Sequence, residues 1–290
     1  VQIVDVIKLI RPKEWSKNVF LLLPAFFATK VSLLWQSVRL LEAFIAFCLA
    51  ASSIYVLNDI MDVKKDRLHP EKSKRPIASG AIRIEVAVVV GLVSLVLSLF
   101  LGYESSVNQY IIAYLGVNFL YSIRLKHIPL LDITIISVGF ILRVLCGGEA
   151  SGVFVSKWLI LMTFLLSMCL ALGKRRDELI VSEHGEKNIR PALVGYNLEF
   201  INMGLVFMAV TTVICYIMYS VSEDVVSRLH TDKIYLTSFF VIIGLLRFLQ
   251  ISMVYQKSGS PTNILLKDRF MQWVLVGWAL SFSVIIYFRW

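Results

Sequence analysis

The chain has 290 residues, of which 58% are hydrophobic and only 17% charged, and its mean hydropathy is +0.76. Soluble domains run near ~45–50% apolar and ~25% charged, so this balance excludes intrinsic disorder, a nucleic-acid module and a secreted disulfide scaffold in favour of an all-α, polytopic membrane protein. The net charge of +9, which in a soluble chain would suggest nucleic acid, reads here as the positive-inside bias of membrane loops.

In chain order, Ile3, Val6, Ile7 and Ile10 come first at helical spacing and predict an interfacial helix. Four basic residues spread over Lys8–Lys17, with no small-x-small site after the following run, argue against a cleavable signal. Hydropathy then predicts nine spanning helices, near 18–34, 37–63, 84–103, 106–124, 129–148, 156–174, 197–221, 233–255 and 269–289. Uncharged runs such as 86–103, 201–222 and 270–288 reach the ~18 residues a span needs. The first predicted helix holds Pro24 and Lys30, the fifth Arg143 and the eighth Arg247. Such charges are costly against lipid and are expected to face a bundle interior or a water-filled cavity. Cys48, Cys146, Cys169 and Cys215 lie in apolar runs without CxxC spacing and read as buried helix residues. With no repeat or linker in view, residues 1–290 read as one domain.

Twenty-one of the 29 Lys and Arg fall at the N-terminus or in the loops after helices two, four, six and eight. The positive-inside rule therefore expects those segments in the cytoplasm and the C-terminus outside. The two longest loops, 64–83 and 175–196, lie on that side, and loops of such length in a compact bundle are commonly functional.

Asn58, Asp59, Asp62 and Asp66 end the second predicted helix, with the acids at offsets of three and four and hence on one helix face. Three stacked carboxylates repel one another unless a strong positive charge offsets them, most simply Mg²⁺ completed by substrate phosphates. A bland reading is a solvated helix end neutralised by Lys64, Lys65 and Arg67.

The stretch continues through Asp66, Arg67, His69, Pro70, Lys72 and Arg75 to Pro76 and Gly80. Asn-Asp-x-x-Asp-x-x-x-Asp followed by His-Pro-x-Lys-x-x-Arg-Pro-Ile-Ala-x-Gly resembles the first signature of the UbiA superfamily of membrane prenyltransferases. The resemblance covers essentially the whole chain and implies a UbiA-like bundle. It also implies that Asn58, Asp59, Asp62 and Asp66 hold Mg²⁺ or Mn²⁺ on a diphosphate, with Lys72 and Arg75 helping to bind it.

The second signature departs from the usual Asp-x-x-x-Asp. Here Gly173, Lys174, Arg175, Arg176, Asp177, Glu178 and Leu179 follow one another, and adjacent acids point 100° apart, a poor arrangement for sharing one metal. Three consecutive cations suit a phosphate monoester or a second anionic substrate; an ordinary positive-inside cap is the plain alternative. This departure resembles the decaprenyl-phosphate phosphoribosyltransferase branch. So do the opening Arg11-Pro12 to Lys17-Asn18, the run from Tyr121 through Arg124, Lys126 and His127 to Asp132, and Gly139 with Arg143.

That branch resemblance implies transfer of 5-phosphoribose from phosphoribosyl pyrophosphate to a polyprenyl phosphate, with Glu178 or Asp132 stabilising positive charge on the ribose. Lys72, Arg75, Lys126 and Lys174–Arg176 are candidates for the donor phosphates. Lys17, Arg143 and Arg190 are candidates for the lipid phosphate, and Tyr121 opens a motif that ends in cations. For Arg143 the structural reading is pairing with Glu149 or a backbone carbonyl. The nearest alternative function is prenyl transfer from a prenyl diphosphate to an aromatic or lipid acceptor. An anion transporter is a third, disfavoured by the three acids and by the lack of inverted repeats. A cell-membrane location with the active site on the cytoplasmic face follows from the charge bias, a zinc site is not expected from four scattered histidines, and whether the chain forms a homo-oligomer stays open.

Overall fold

The computed structural model describes residues 2–28, 37–68, 71–183, 191–256, 264 and 267–287, and every regular element among them is helical. They fall into two compact units, one of Val1–Leu125 with Gly139–Val155, the other of Lys126–Val138 with Ser156–Trp290.

In the first unit, α1 (Ile3–Ile10) buries Leu9 beside Val56, Ile77, Ile82 and Ala87 while Ile3, Val4 and Ile7 stay exposed. Arg11 then adopts a left-handed conformation (φ 53°), and Pro12 opens a 3-10 segment, Pro12–Leu22. The following α2 (Leu23–Phe27) takes Pro24 in its first turn, where the fixed φ of proline suits the helix. Helix α3 (Val38–Met61) starts where the Ser37 hydroxyl accepts from the Leu40 N–H at 3.2 Å, a cap that stabilises by about 1 kcal/mol.

One face of α3 is built from Ala43, Ala46, Ala50 and Ala51, packed with Leu21, Ala25, Ile111 and Cys146; small residues let membrane helices approach closely. After the short α4 (Val63–Arg67), α5 (Ile84–Glu104) packs along α3, and α6 (Asn108–Ile123) packs against both. An apolar groove of about 570 Å³ runs between these three, lined by Ile54, Leu57, Gly91, Leu95, Leu115 and Gly116 among others. Helix α7 (Leu131–Ser151) belongs to this unit from Gly139 onward. A Cβ on Gly147 would stand 1.7 Å from the Leu21 carbonyl oxygen, so there helix backbone lies directly on backbone.

The second unit holds α8 (Lys157–Glu183), a 3-10 turn (Pro191–Gly195), α9 (Leu198–Val221), α10 (Glu223–Leu229), α11 (Ser238–Met253) and α12 (Arg269–Tyr287). Helix α8 packs along α9 in a core that includes Met168, Leu172, Ile201, Leu205, Phe248 and Met271. The Asn197 side chain caps α9 by accepting from the Phe200 N–H at 2.7 Å.

Among the described residues, seven helices are long and apolar enough to cross a membrane: Val38–Met61, Ile84–Glu104, Leu131–Ser151, Lys157–Ser182, Leu198–Val221, Lys233–Met253 and Arg269–Ile286. The chain is thus a multi-pass membrane protein, but the nine spans expected from hydropathy are not all present among the described residues. The first begins as the 3-10 segment and α2, with 29–36 outside the described residues; the fourth, α6, is a helix of 16 residues. Helix α8 also runs on to Glu183, past the loop start expected at 175. Lys, Arg, Glu and Leu are good helix formers, so the fall in hydropathy marks a change of surroundings rather than a helix end. All four cysteines are buried and unpaired in disulfides, as expected.

Candidate active site

The acidic motif is built where α3 gives way to α4. The Asp62 N–H still bonds the Asn58 carbonyl at 2.9 Å, and the Asp66 N–H bonds the Asp62 carbonyl at 2.9 Å, so the acids keep a nearly helical spacing across the break. Asp59 and Asp66 are 2% and 4% exposed, and Asp62 is half-buried. Nη1 of Arg75 lies 3.0 Å from Asp59 Oδ1 and 2.6 Å from Asp66 Oδ2, and Nη2 of Arg11 lies 2.5 Å from the same Asp59 oxygen. Lys64 and Lys65 are exposed, and Arg67 turns to the Ala78 carbonyl at 3.3 Å. The charge of Asp59 and Asp66 is therefore met by Arg11 and Arg75, while Lys64 and Lys65 face solvent.

Asp59 Oδ2 is buried with no hydrogen-bond partner. Among the described residues, no three His, Cys, Asp or Glu side chains converge to enclose a metal unaided. Magnesium seldom requires that: one or two carboxylates plus substrate phosphates and water are its usual shell. Two buried carboxylates already converging on one cationic nitrogen, with a spare oxygen beside it, fit such an ion. Gly80 (φ +80°) supplies the left-handed turn after Arg75 that only glycine adopts freely. Lys72 sits on the exposed 3-10 turn Lys72–Lys74, and His69 lies outside the described residues.

One turn before Asp59, the Tyr55 ring lies under the Arg11 guanidinium at 5.2 Å. Trp15 Nε1 donates to Ser52 Oγ at 3.0 Å, and that hydroxyl donates to the Ile10 carbonyl at 2.7 Å; together they fix the 3-10 segment against α3. The segment delivers Lys17, which pairs with Glu14 at 2.5 Å, and Asn18, 1% exposed, whose Oδ1 accepts from Arg143 Nε at 2.7 Å. Arg143 takes the Gly139 carbonyl at 2.7 Å and the Tyr114 hydroxyl at 3.2 Å. Glu149 pairs instead with Arg39 at 3.4 Å. Tyr121 is half-buried on α6.

The second unit holds a buried polar knot. Arg175 and Asp132 are 1% and 0% exposed, with Arg175 Nε 2.9 Å from Asp132 Oδ2 at an angle short of a hydrogen bond. Arg175 also pairs with Glu178. The Tyr196 hydroxyl donates to Asp132 Oδ1 and accepts from the Leu130 N–H, both at 2.7 Å, and Leu130 is held at φ 66°. Burial, then the bond to Asp132, push the Tyr196 phenol above the ordinary tyrosine range. Arg176 ties α8 to Asn202 Oδ1 at 2.8 Å and to the Ser252 carbonyl at 2.6 Å. Of the three consecutive cations only Lys174 is exposed, Lys126 is half-buried, and Arg190 lies outside the described residues.

Sequence reasoning missed Arg11, Tyr55, Tyr114 and Tyr196. Tyr55 was within reach, four residues before Asp59 on the same face. Arg11 stood in the opening motif without a role, and Tyr114 and Tyr196 carry no local signal.

A multi-pass helical protein with a buried acidic motif, matched by arginines, at the end of a spanning helix defines the class. Residues 19–179 match the UbiA prenyltransferase family, and the chain belongs to that family. It is 33% identical over 97% of its length to the decaprenyl-phosphate phosphoribosyltransferase of Mycolicibacterium smegmatis, covering 92% of that protein. It is 30% identical over 99% of its length to the Mycobacterium tuberculosis protein of the same name, covering 95% of it. Its fold resembles that of a UbiA homolog from Archaeoglobus fulgidus bound to DMAPP and Mg²⁺, with a TM-score of 0.69 at 18% identity over 97% of this chain and 99% of that one.

Proposed function

We propose that the chain transfers 5-phosphoribose from phosphoribosyl pyrophosphate to a decaprenyl-type polyprenyl phosphate and releases diphosphate. The observation that carries this reading is the near full-length similarity to two decaprenyl-phosphate phosphoribosyltransferases. The Gly173–Leu179 stretch supports it, because no second Asp-x-x-x-Asp stands there; Arg175 and Arg176, expected to grip phosphate, are instead buried against protein partners.

Asn58, Asp59, Asp62 and Asp66 would hold Mg²⁺ or Mn²⁺, and the metal would neutralise charge on the departing diphosphate. Arg75, Lys72, Lys126 and Lys174 bind donor phosphates. Glu178 faces the positive charge that develops at the ribose C1 as its bond to the diphosphate oxygen breaks. A phosphate oxygen of the lipid forms the new bond at C1; it is already ionised at neutral pH, so no general base is required. Asp132, Arg175, Arg176 and Tyr196 act at one remove, fixing the helix end that presents Lys174 and Glu178. By the positive-inside bias the acidic motif and N-terminus lie on the cytoplasmic face of the cell membrane.

The test combines purified protein, Mg²⁺, a polyprenyl phosphate and phosphoribosyl pyrophosphate labelled in the ribose, with Asp62→Ala as control. Label extracted with the lipid by the wild type alone supports the reading. Failure with every polyprenyl phosphate, together with activity on a prenyl diphosphate and an aromatic acceptor, replaces it with prenyl transfer.

A further inference from the structure

Arg143 brings a full charge into the interior of a spanning helix, where it is 5% exposed, and every contact it makes there is neutral. Asn18, the Gly139 carbonyl and Tyr114 accept its hydrogen bonds. The rings of Phe47, Tyr114 and Phe140 surround the guanidinium at 4.8–5.3 Å. Among the described residues no carboxylate lies within ion-pair distance of it. Room is left for it: a Cβ on Gly139 would already stand 3.3 Å from Nη1. A guanidinium has five N–H donors, and these contacts use three.

Lys17 adds a second cation. Burial works against its ammonium, but Tyr55 and Glu14 outweigh that and raise its pKa, while Arg143 is close enough to oppose them. Among the described residues Glu14 is the one acid paired with these two cations, which leaves this region positive. It adjoins the acidic motif through Tyr55, which touches Arg11 and through it Asp59.

We propose that Arg143, with Lys17, Asn18 and Tyr114, forms a subsite for a phosphate monoester. A buried guanidinium without a counter-ion is costly, and an incoming dianion with oxygens for its unused donors removes that cost. Both substrates of the reaction proposed above carry this group, as the 5-phosphate of the donor and as the headgroup of the lipid, so the assignment rests on that reading and deepens it. A prenyl diphosphate carries its phosphates in one group, so once the acidic motif holds that group nothing anionic is left for Arg143. The subsite thus favours a phosphorylated sugar or lipid phosphate over a prenyl donor.

The experiment titrates the full chain in detergent with ribose 5-phosphate against ribose, and with farnesyl phosphate against farnesol. Wild type should prefer at least one phosphate over its unphosphorylated counterpart by about tenfold or more, the worth of a charge-assisted hydrogen bond, and Arg143→Gln should erase that preference. Preference for ribose 5-phosphate assigns the subsite to the donor, and preference for farnesyl phosphate to the acceptor. Asn18→Asp separates binding from support of the fold: it gives Arg143 an internal carboxylate, so the melting temperature should rise while phosphate affinity falls. A rise in melting temperature with unchanged phosphate affinity, or a preference that survives Arg143→Gln, overturns the subsite even if phosphoribosyl transfer is observed. Phosphate binding that depends on Arg143 in a protein without phosphoribosyl transfer overturns the proposed reaction and leaves the subsite standing.

Discussion

At the scale of single residues, burial decides which charged groups are available to substrates. Asp59 and Arg175 are both nearly inaccessible, yet their partners are disposed differently. Arg175 is met by Asp132 and Glu178 through separate nitrogens, whereas Arg11 and Arg75 share one Asp59 oxygen and its other oxygen has no hydrogen bond. Tyr196 is the hinge of the Arg175 group. Replacing it with Phe strands the Leu130 N–H and an Asp132 oxygen, and thermal unfolding should show a loss of about 1–3 kcal/mol. The folded protein holds the Tyr196 proton more tightly than the unfolded chain. Its contribution is therefore complete below the unfolded value near ~10 and is lost as pH rises through the higher folded value. The stability gap between wild type and Tyr196→Phe should narrow above about pH 10; a gap that stays constant from pH 7 to 11 would contradict this account.

At the scale of elements, ends matter more than middles. Asp268 stands before α12, where Oδ1 accepts from the Met271 N–H at 2.8 Å and Oδ2 lies 2.6 Å from Arg247 Nη2. The Arg247 hydrogen bonds, ahead of the backbone bond, hold the Asp268 carboxyl below the usual range. This accounts for a charge in α11 that hydropathy could only flag. Asp268→Asn should lower stability by about 1–3 kcal/mol at neutral pH. Because the folded pKa is depressed, the wild-type advantage is present above the unfolded value near ~3.9 and disappears as pH falls below it, which melting curves from pH 3 to 7 would show. The acidic motif was legible because its members lie within two turns of one another, but its pairing with Arg75 was not, since Lys64, Lys65 and Arg67 stand closer in sequence. The reach of Arg11 to Asp59 and of Asn18 to Arg143, 48 and 125 residues apart, was not, since periodicity reports a residue's face and not its partner. The end of α8 was misplaced because hydropathy senses lipid, and the helix continues beyond it to Glu183.

At the scale of the molecule, each unit has its own core, and the acidic motif and Arg143 both belong to the first. Its packing tolerates no addition where α7 meets the 3-10 segment. Gly147→Ala places a carbon 1.7 Å from the Leu21 carbonyl oxygen and must push the facing backbones apart, so the loss should exceed the about 1–3 kcal/mol of ordinary overpacking. A variant that is recovered from membranes with an unchanged melting temperature would show that these backbones are not in contact. The same contact has a bearing on biosynthesis. Leu21 and Asn18 leave the ribosome long before Gly147 and Arg143, and at about 5–20 residues per second the intervening 125 residues take about 6–25 s to make. Throughout that interval the segment carrying Lys17 and Asn18 has no α7 to rest on. The region around Arg143 is thus completed late in translation, and a nascent chain arrested before α7 emerges would carry the acidic motif without it.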